Sequence, residues 1–567
     1  MTAALLPLLK STFGFNQFRG MQAPVLERVM AGQNTLAVMP TGSGKSLCYQ
    51  LPALANRGTT IVISPLIALM HDQLRSAEAV GIRAATLTSA DDNRAETIAR
   101  LKAGELDLLY AAPERASQPH FRELLEQADI ALFAIDEAHC VSEWGHDFRP
   151  DYRLLRPLLD HFGSVPRLAL TATADAHTRE DILVQLGIPA EGMILAGFDR
   201  PNIRYSISPR SGLARQIGDL VKRTPGPGIV YAQTRAATEK MASQIAATGR
   251  SARAYHAGLP PEVRQNQHDF VASEDMVMVA TIAFGMGIDK PDVRFVAHAG
   301  LPKSIEAYYQ ETGRAGRDGD PAEAHMFWGA EDFARARQRL GEVDQSRLES
   351  ERTRLAALGG LVETAGCRRA VLLRHFGENP PQTCGNCDNC LNAPETRNVT
   401  ELARKFLSAV YRTGQSFGVT HLEAVLTGRQ EEKILSRGHD KLSVFDIVGQ
   451  EEAPLIKAVS RSLLLRDALR NTDHGGLMFG PEARKILKGE QEIAIVEPPK
   501  RTSRKGRGGG ASLNPFGDPL FEALRKKRME LAKELGVPPY VIFHDSVLRD
   551  MTGLKPTSLA ALGELPG

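Results

Sequence analysis

The chain has 567 residues, 43% of them hydrophobic and 24% charged, with a formal net charge of only +2. That length allows about three to five domains with sizeable cores, and near-neutrality means that nucleic-acid affinity has to come from local basic patches. No run of about 18 apolar residues offers a membrane span, and the opening MTAALLPLLKSTFGF, with no basic region before its apolar run and no small-residue cleavage site, reads as a helix and not a signal peptide.

Next along the chain stand Phe15, Arg19 and Gln22. They have two readings: a nucleobase pocket with a stacking face, a cation and an amide, or a solvated turn with core phenylalanines. The apolar run Thr35–Val38 then reads as a buried strand, followed by Met39-Pro40-Thr41-Gly42-Ser43-Gly44-Lys45-Ser46 and a helix start at Leu47. Strand, glycine loop and helix form the context of a phosphate-binding loop. Thr41, Gly42, Ser43 and Gly44 would turn backbone N–H groups toward phosphates. Lys45 would reach the β- and γ-phosphates, and Ser46 would hold magnesium. Met39 stands where the strict pattern has glycine.

Short β-branched runs at 60–64, 106–110, 130–135 and 167–173 alternate with helical stretches, which predicts a parallel α/β sheet. Ligands of such sheets gather at the carboxyl ends of the strands. Asp136 and Glu137 emerge at one of those ends, Asp136 as a magnesium ligand and Glu137 as the base for an attacking water. The next segment, to Tyr152, carries Trp144, His146, Phe148 and Arg149 without helix or strand period. Its aromatic faces suit base stacking, at about 1–3 kcal/mol each, and its place after the acidic pair would couple nucleic-acid contact to ATP hydrolysis.

A second α/β pattern has runs at 228–232, 252–256, 276–280 and 294–298, with no phosphate-loop lysine. It ends in Arg314 and Arg317, spaced to share one face of a helical turn and to reach the nucleotide from a second domain as arginine fingers. Further on, Cys367 precedes the cluster Cys384, Cys387 and Cys390. Four thiolates with no open position predict a structural zinc site.

Taken together, the chain closely resembles the RecQ-type DNA helicases of superfamily two. The resemblance rests on the Phe15–Gln22 segment, PTGSGKS, DEAH at 136–139, the aromatic segment, TAT at 171–173, YHAGL at 255–259, ATIAFGMGIDKP at 280–291 and QETGRAGRDG at 310–319. It implies that Phe15, Arg19 and Gln22 read adenine, that Asp289 contributes to the nucleotide site, and that translocation runs 3′ to 5′. ATP, Mg2+ and Zn2+ are the implied cofactors. The implied fold is two tandem RecA-like parallel-sheet domains (1–205 and 206–340), a helical zinc module (341–395), a winged helix (396–490), a basic glycine-rich linker (491–512) and a partial helical domain (513–567). His474, near a hairpin tip, is the candidate wedge.

Expected partners are single-stranded and forked or tailed duplex DNA, a single-strand-binding protein and a topoisomerase. The protein is expected to be a cytoplasmic monomer, nucleoid-associated if bacterial. An RNA helicase and a non-unwinding DNA clamp are the rival readings. RNA against DNA stimulation of the ATPase separates the first, and a forked-duplex assay the second.

Overall fold

The computed structural model describes the chain except residues 1, 66, 89–90, 92, 144, 146, 261–265, 283, 285–289, 344, 473–475, 497–518, 564 and 566–567. The N-terminal stretch is a helix, Thr2–Phe13.

The first lobe is built on β1 (Thr35–Val38), β2 (Thr59–Ile63), β3 (Ala84–Leu87), β4 (Leu108–Ala111), β5 (Ile130–Ile135), β6 (Arg167–Thr171) and β7 (Met193–Leu195). Their order is β3-β4-β2-β5-β6-β1-β7, and the pairings are parallel. β1 to β6 are buried along almost their whole length. Helices cover both faces, which explains the unbroken apolar runs. The four runs expected in this half all fall on strands. β3 and β7 were not expected, because AATL has little β-branched content and Met-Ile-Leu is too short to show a period.

The second lobe contains β8 (Ile203–Pro209), β9 (Gly228–Tyr231), β10 (Ala252–Tyr255), β11 (Val277–Ala280), β12 (Phe295–His298) and β13 (Ala322–Trp328). They form a parallel sheet in the order β10-β11-β9-β12-β13-β8. The boundary expected at 205 falls inside β8. That strand pairs with β13 over its full length, which puts residues 203–205 in the second sheet. Its apolar residues alternate because it is an edge strand.

Beyond the sheets, helices Gln345–Glu363 and Arg368–His375 carry the cysteine module. A buried apolar cluster runs without a break from Leu36 in the first lobe through Phe198, Tyr309 and Phe376 to Cys387. Helices Thr400–Arg412, Val419–Leu426 and Ile456–Leu465 precede a hairpin, β15 (Leu469–Asn471) with β16 (Leu477–Phe479). They share a separate core. β14 (Thr396–Asn398) pairs antiparallel with β17 (Ala494–Val496). This unit therefore extends past the expected end at 490, into what was read as linker.

The C-terminal helices Pro519–Leu535 and Asp545–Leu554 close over Phe521, Val547, Leu548 and Met551. They dock on the second lobe. Arg528 Nη2 lies 2.7 Å from both Glu274 Oε1 and Asp545 Oδ1, Arg525 pairs with the same Glu274, and Arg549 pairs with Asp320. No helix among the described residues is long and apolar enough to cross a membrane.

Candidate active site and zinc centre

β1 delivers the glycine loop to the carboxyl edge of the first sheet. Gly42 and Gly44 take φ of 83° and 74°, values that L side chains rarely adopt. The backbone N–H groups of Thr41, Gly42, Gly44, Lys45 and Ser46 donate to no acceptor among the described residues. The helix that follows, Leu47–Ala55, has no side-chain cap from Ser46. Unmet donors at a helix start are what a phosphate satisfies, so these residues fit a nucleoside triphosphate. Lys45 Nζ meanwhile donates to Met39 O and Pro40 O at 3.2 and 3.3 Å. Burial holds its pKa below the usual lysine value, against the opposing pull of Glu137 and Asp136.

β5 ends at the acidic pair. Glu137 occupies the left-handed region at φ 47° and ψ 46°, a conformation that costs about 1–3 kcal/mol for a non-glycine residue and clusters at functional sites. Asp136 N donates to Ile63 O at 2.9 Å, which extends the sheet ladder into the site. Desolvation and the adjacent Glu137 charge push the Asp136 carboxyl up to about 7. Two carboxylates crowded together this way fit a divalent cation, whose charge would favour both as anions.

His139 Nδ1 lies 3.0 Å from Thr171 Oγ1 and 3.3 Å from Glu137 Oε2, so the DEAH and TAT segments share one buried hydrogen-bonded cluster. Burial opposes a charge on His139, but Cys140 and Glu137 outweigh it and hold the imidazole pKa up, at about 10.

The aromatic segment is tied to this cluster. Tyr152 OH donates to Asp136 O at 2.9 Å, and Arg149 Nη1 donates to Pro65 O at 2.8 Å. Arg354, from the long helix of the cysteine module, donates to Gly145 O at 3.0 Å. A Cβ on Gly145 would stand 2.2 Å from His139 O, so only glycine fits there. Phe148 lies beneath the guanidinium groups of Arg153 and Arg347, at 5.4 and 5.9 Å. The Tyr152 and Arg354 contacts were not foreseen, because nothing in local spacing marks a residue that reaches backbone far away in the chain. Trp144, His146, Asp289 and His474 lie outside the described residues.

Arg314 and Arg317 are brought to the same crevice. They sit in turns just past the helix Ile305–Thr312, not on the helix itself. Arg314 is buried. The stem of Arg317 lies along the glycine loop: a Cβ on Gly42 would be 3.1 Å from its Cγ. Thr41 Oγ1 and Arg314 Nε are buried without a hydrogen-bond partner among the described residues.

On the outer rim, Phe15 is 40% exposed with the Arg19 guanidinium 5.3 Å above its ring. Gln22 is buried. Its Nε2 donates to Ser43 O at 3.0 Å and its Oε1 accepts from Arg19 N at 2.9 Å. The three residues thus form one contact chain ending on the glycine loop, which links the rim to the phosphate site.

The sulfur atoms of Cys367, Cys384, Cys387 and Cys390 all lie within 4.8 Å of one another, with Cys384–Cys390 at 4.0 Å and Cys387–Cys367 at 3.9 Å. A zinc tetrahedron with bonds of about 2.3 Å has edges of about 3.8 Å, so the four thiols fit it. Asp388, next to Cys387, accepts from Ile207 N of β8 at 2.8 Å and from Arg368 Nε at 3.2 Å. Arg369 donates to Ile203 O at 2.7 Å, and Asn386 donates to Pro201 O at 3.1 Å. The cysteine module therefore covers the free edge of the second sheet.

Family models match the chain in series: the DEAD/DEAH box helicase over residues 19–182, the helicase conserved C-terminal domain over 213–319, the RecQ zinc-binding model over 330–391, the RQC domain over 393–504 and the HRDC domain over 518–567. Among curated proteins, the ATP-dependent DNA helicase RecQ of Haemophilus influenzae is 41% identical over 575 residues, covering 99% of this chain and 92% of that protein. The Pasteurella multocida RecQ is 40% identical over 580 residues, with 99% and 90% covered, and the Bacillus subtilis RecQ 38% over 560 residues, with 97% and 93% covered. A phosphate loop with unmet donors, an acidic pair, arginines from a second lobe and a four-thiol centre stand here in the family's own order, and the chain belongs to the RecQ family of ATP-dependent DNA helicases.

Proposed function

We propose that the chain hydrolyses ATP in the crevice between its two lobes and uses the cycle of closure and opening to travel 3′ to 5′ along one DNA strand, separating forked or tailed duplexes in recombination and repair. The observation that carries this reading is the contact of Arg317 with Gly42. It joins the lobe that holds the glycine loop to the lobe that bears the two arginines.

The glycine loop, with Thr41 to Ser46, binds the phosphates. Phe15, Arg19 and Gln22 face adenine, and Asp289 belongs to the second lobe's share of the site. Magnesium, held by Ser46 and Asp136, neutralises phosphate charge. Glu137 takes the proton of the attacking water, and His139 holds that carboxylate in place. Arg314 and Arg317 stabilise the charge that develops on the transferred phosphoryl group. Trp144, His146, Phe148 and Arg149 meet single-stranded DNA, and the Tyr152–Asp136 hydrogen bond carries that contact to the acidic pair. The zinc module and winged helix hold the duplex, with His474 near the strand junction. The C-terminal helical unit is a further single-strand contact. The division into six segments, with the first cut before 203 and the winged-helix unit carried to 496, belongs to this reading. So do a monomeric state, a cytoplasmic location, and contacts with a single-strand-binding protein and a topoisomerase.

The test is ATP turnover with single-stranded DNA, RNA or neither, joined to unwinding of 3′-tailed against 5′-tailed duplexes. DNA should stimulate turnover more than RNA, and only 3′-tailed duplexes should open. Lys45→Ala should lower turnover by about 10²–10³-fold or more. Turnover surviving in that variant would falsify the assignment of the phosphate site.

A further inference from the structure

Arg200 lies in the short segment between β7 and β8, where the chain passes from one lobe to the other. Its guanidinium donates to four backbone carbonyls. Nη1 reaches Thr41 O and Gly313 O, both at 3.1 Å, and Nη2 reaches Ala315 O and Gly316 O, both at 2.9 Å. Three of these acceptors belong to the turn that bears Arg314 and Arg317. The fourth belongs to the phosphate loop.

The backbone around Arg200 is itself clamped. Phe198 N donates to Glu378, Tyr309 OH donates to Phe198 O at 2.7 Å, and Phe198 stacks on Phe376 with ring centres 4.6 Å apart. Asp199 pairs with Arg369 at 3.3 Å, and Asn202 Nδ2 donates to Gly316 O and Asp320 O, both at 2.8 Å. A residue held this firmly has little freedom to follow either loop, so it sets where both loops stand.

We propose that Arg200 is a positioning residue for ATP turnover, registering the turn that carries Arg314 and Arg317 against the phosphate loop when the crevice is closed. The inference rests on the reading of those two arginines as the groups that complete the site. Its chemistry is that of a planar fork. Four neutral carbonyls spread around one plane suit a guanidinium with five fixed donors, and a lysine ammonium cannot serve them together. Charge alone does not substitute. Three of the bonds lie on the second lobe's side and persist when the lobes part, whereas the bond to Thr41 O forms only with closure. Arg200 thereby makes the position of the finger turn depend on the state of the crevice.

The experiment compares Arg200→Lys, Arg200→Gln, Arg314→Ala and Arg317→Ala in the full zinc-loaded chain. Misplacement of a reacting group by about 1 Å costs about 10²-fold, so Arg200→Lys and Arg200→Gln should lower the DNA-stimulated kcat by about that factor. The KM for ATP, the Kd for a fluorescent ATP analogue and for single-stranded DNA, the zinc content and the melting temperature should stay at the parent's values. A lysine variant with parental kcat, beside a slow Arg317→Ala, overturns the inference alone. Parental kcat in both Arg314→Ala and Arg317→Ala overturns the finger reading and the inference with it. A fall in kcat matched by a fall in melting temperature or nucleotide affinity also overturns it, in favour of a hinge that merely holds the fold. Hydrogen exchange in the unaltered chain gives a check that needs no variant. A non-hydrolysable ATP analogue should protect 313–317 and 196–202 together, and protection of the first segment alone overturns the proposal.

Discussion

The two helicase lobes are built to one plan and finished differently. Set β8 of the second lobe beside β1 of the first, and the orders β8-β13-β12-β9-β11-β10 and β1-β6-β5-β2-β4-β3 correspond strand for strand. The loops after the first strand do not. In the first lobe residues 39–46 separate β1 from its helix, and five backbone N–H groups in that loop have no acceptor among the described residues. In the second lobe only residues 210–212 intervene. Arg210 N donates to Trp328 O at 2.7 Å, Ser211 N donates to Gln216 Oε1 at 2.9 Å, and the Arg210 side chain pairs with Asp332 at 2.8 Å and with Glu331. One loop leaves its donors unmet and so can take a ligand. Its counterpart is shorter and has two of its three N–H groups met by Trp328 and Gln216, which leaves only Gly212 N among the described residues without an acceptor. The strands on the outer side differ too: β7 covers β1, while the cysteine module covers β8. Topology fixes where a site can lie, and the loop's own hydrogen bonding decides whether one is there.

The sharpest way to test that contrast is to remove the metal. Structural zinc contributes roughly 10–16 kcal/mol of apparent binding energy, so Cys387→Ser should give the largest loss. Metal analysis should find about one zinc per chain in the parent and none in the variant. Amide exchange should rise in β8 well before β1, because only β8 depends on the cysteine module for its edge. Equal loss of protection in both strands would break the comparison.

The next effect concerns the acidic pair at the end of β5, for which β12 has no counterpart. Glu137→Gln keeps the shape and removes the base. It should lower kcat by about 10²–10⁴-fold with nucleotide binding retained in a filter or fluorescence assay.

A smaller change tests the other loop. Arg210→Ala leaves the fully buried Asp332 carboxylate without its guanidinium and should cost about 1–3 kcal/mol of stability in denaturant unfolding. Turnover per folded molecule should not change, since that loop takes no nucleotide.

The smallest effect is a pH dependence at the join between the second lobe and the cysteine module. His375 Nε2 stands 2.5 Å from Glu306 Oε1. Although burial opposes both charges, the hydrogen bond between them lowers the Glu306 pKa to about 2 and raises that of His375 above its ordinary 6.5. The Glu306 contribution is present above the ordinary carboxyl value of 4.5 and is lost as pH falls through about 2. The His375 contribution is full below 6.5 and is lost as pH rises through its elevated folded value. The pair therefore stabilises most between those two ordinary values. The melting-temperature gap between the parent and His375→Gln should be widest there and shrink on the alkaline side. A gap constant with pH would mean that the pair is held by packing and not by charge.

How much of this was legible in the chain varies with the range of the interaction. The glycine loop, the acidic pair, the arginine pair and the four cysteines are local patterns, and their residue types state their chemistry before any fold is known. The strands β3, β7, β8 and β13 were not legible: β3 and β7 are short, and in β8 and β13 polar residues (Arg204, Ser206 and Ser208; Glu323 and His325) interrupt the apolar ones. The boundary expected at 205 cuts through β8 for that reason: the pairing of β8 with β13 joins segments more than a hundred residues apart. The pairing of β14 with β17 moved the end of the winged-helix unit in the same way.

The sequence by itself determined the family, the nucleotide and metal chemistry and the parallel-sheet architecture, since each follows from side-chain identity and short-range spacing. Only the tertiary structure decided which backbone donors stay unmet, that Glu137 sits at positive φ, that Tyr152 holds the Asp136 carbonyl, that the cysteine module covers the edge of β8, and that Arg200 spans two loops. These depend on groups that meet through space across long stretches of chain, and a backbone carbonyl offers the same acceptor whatever its residue type.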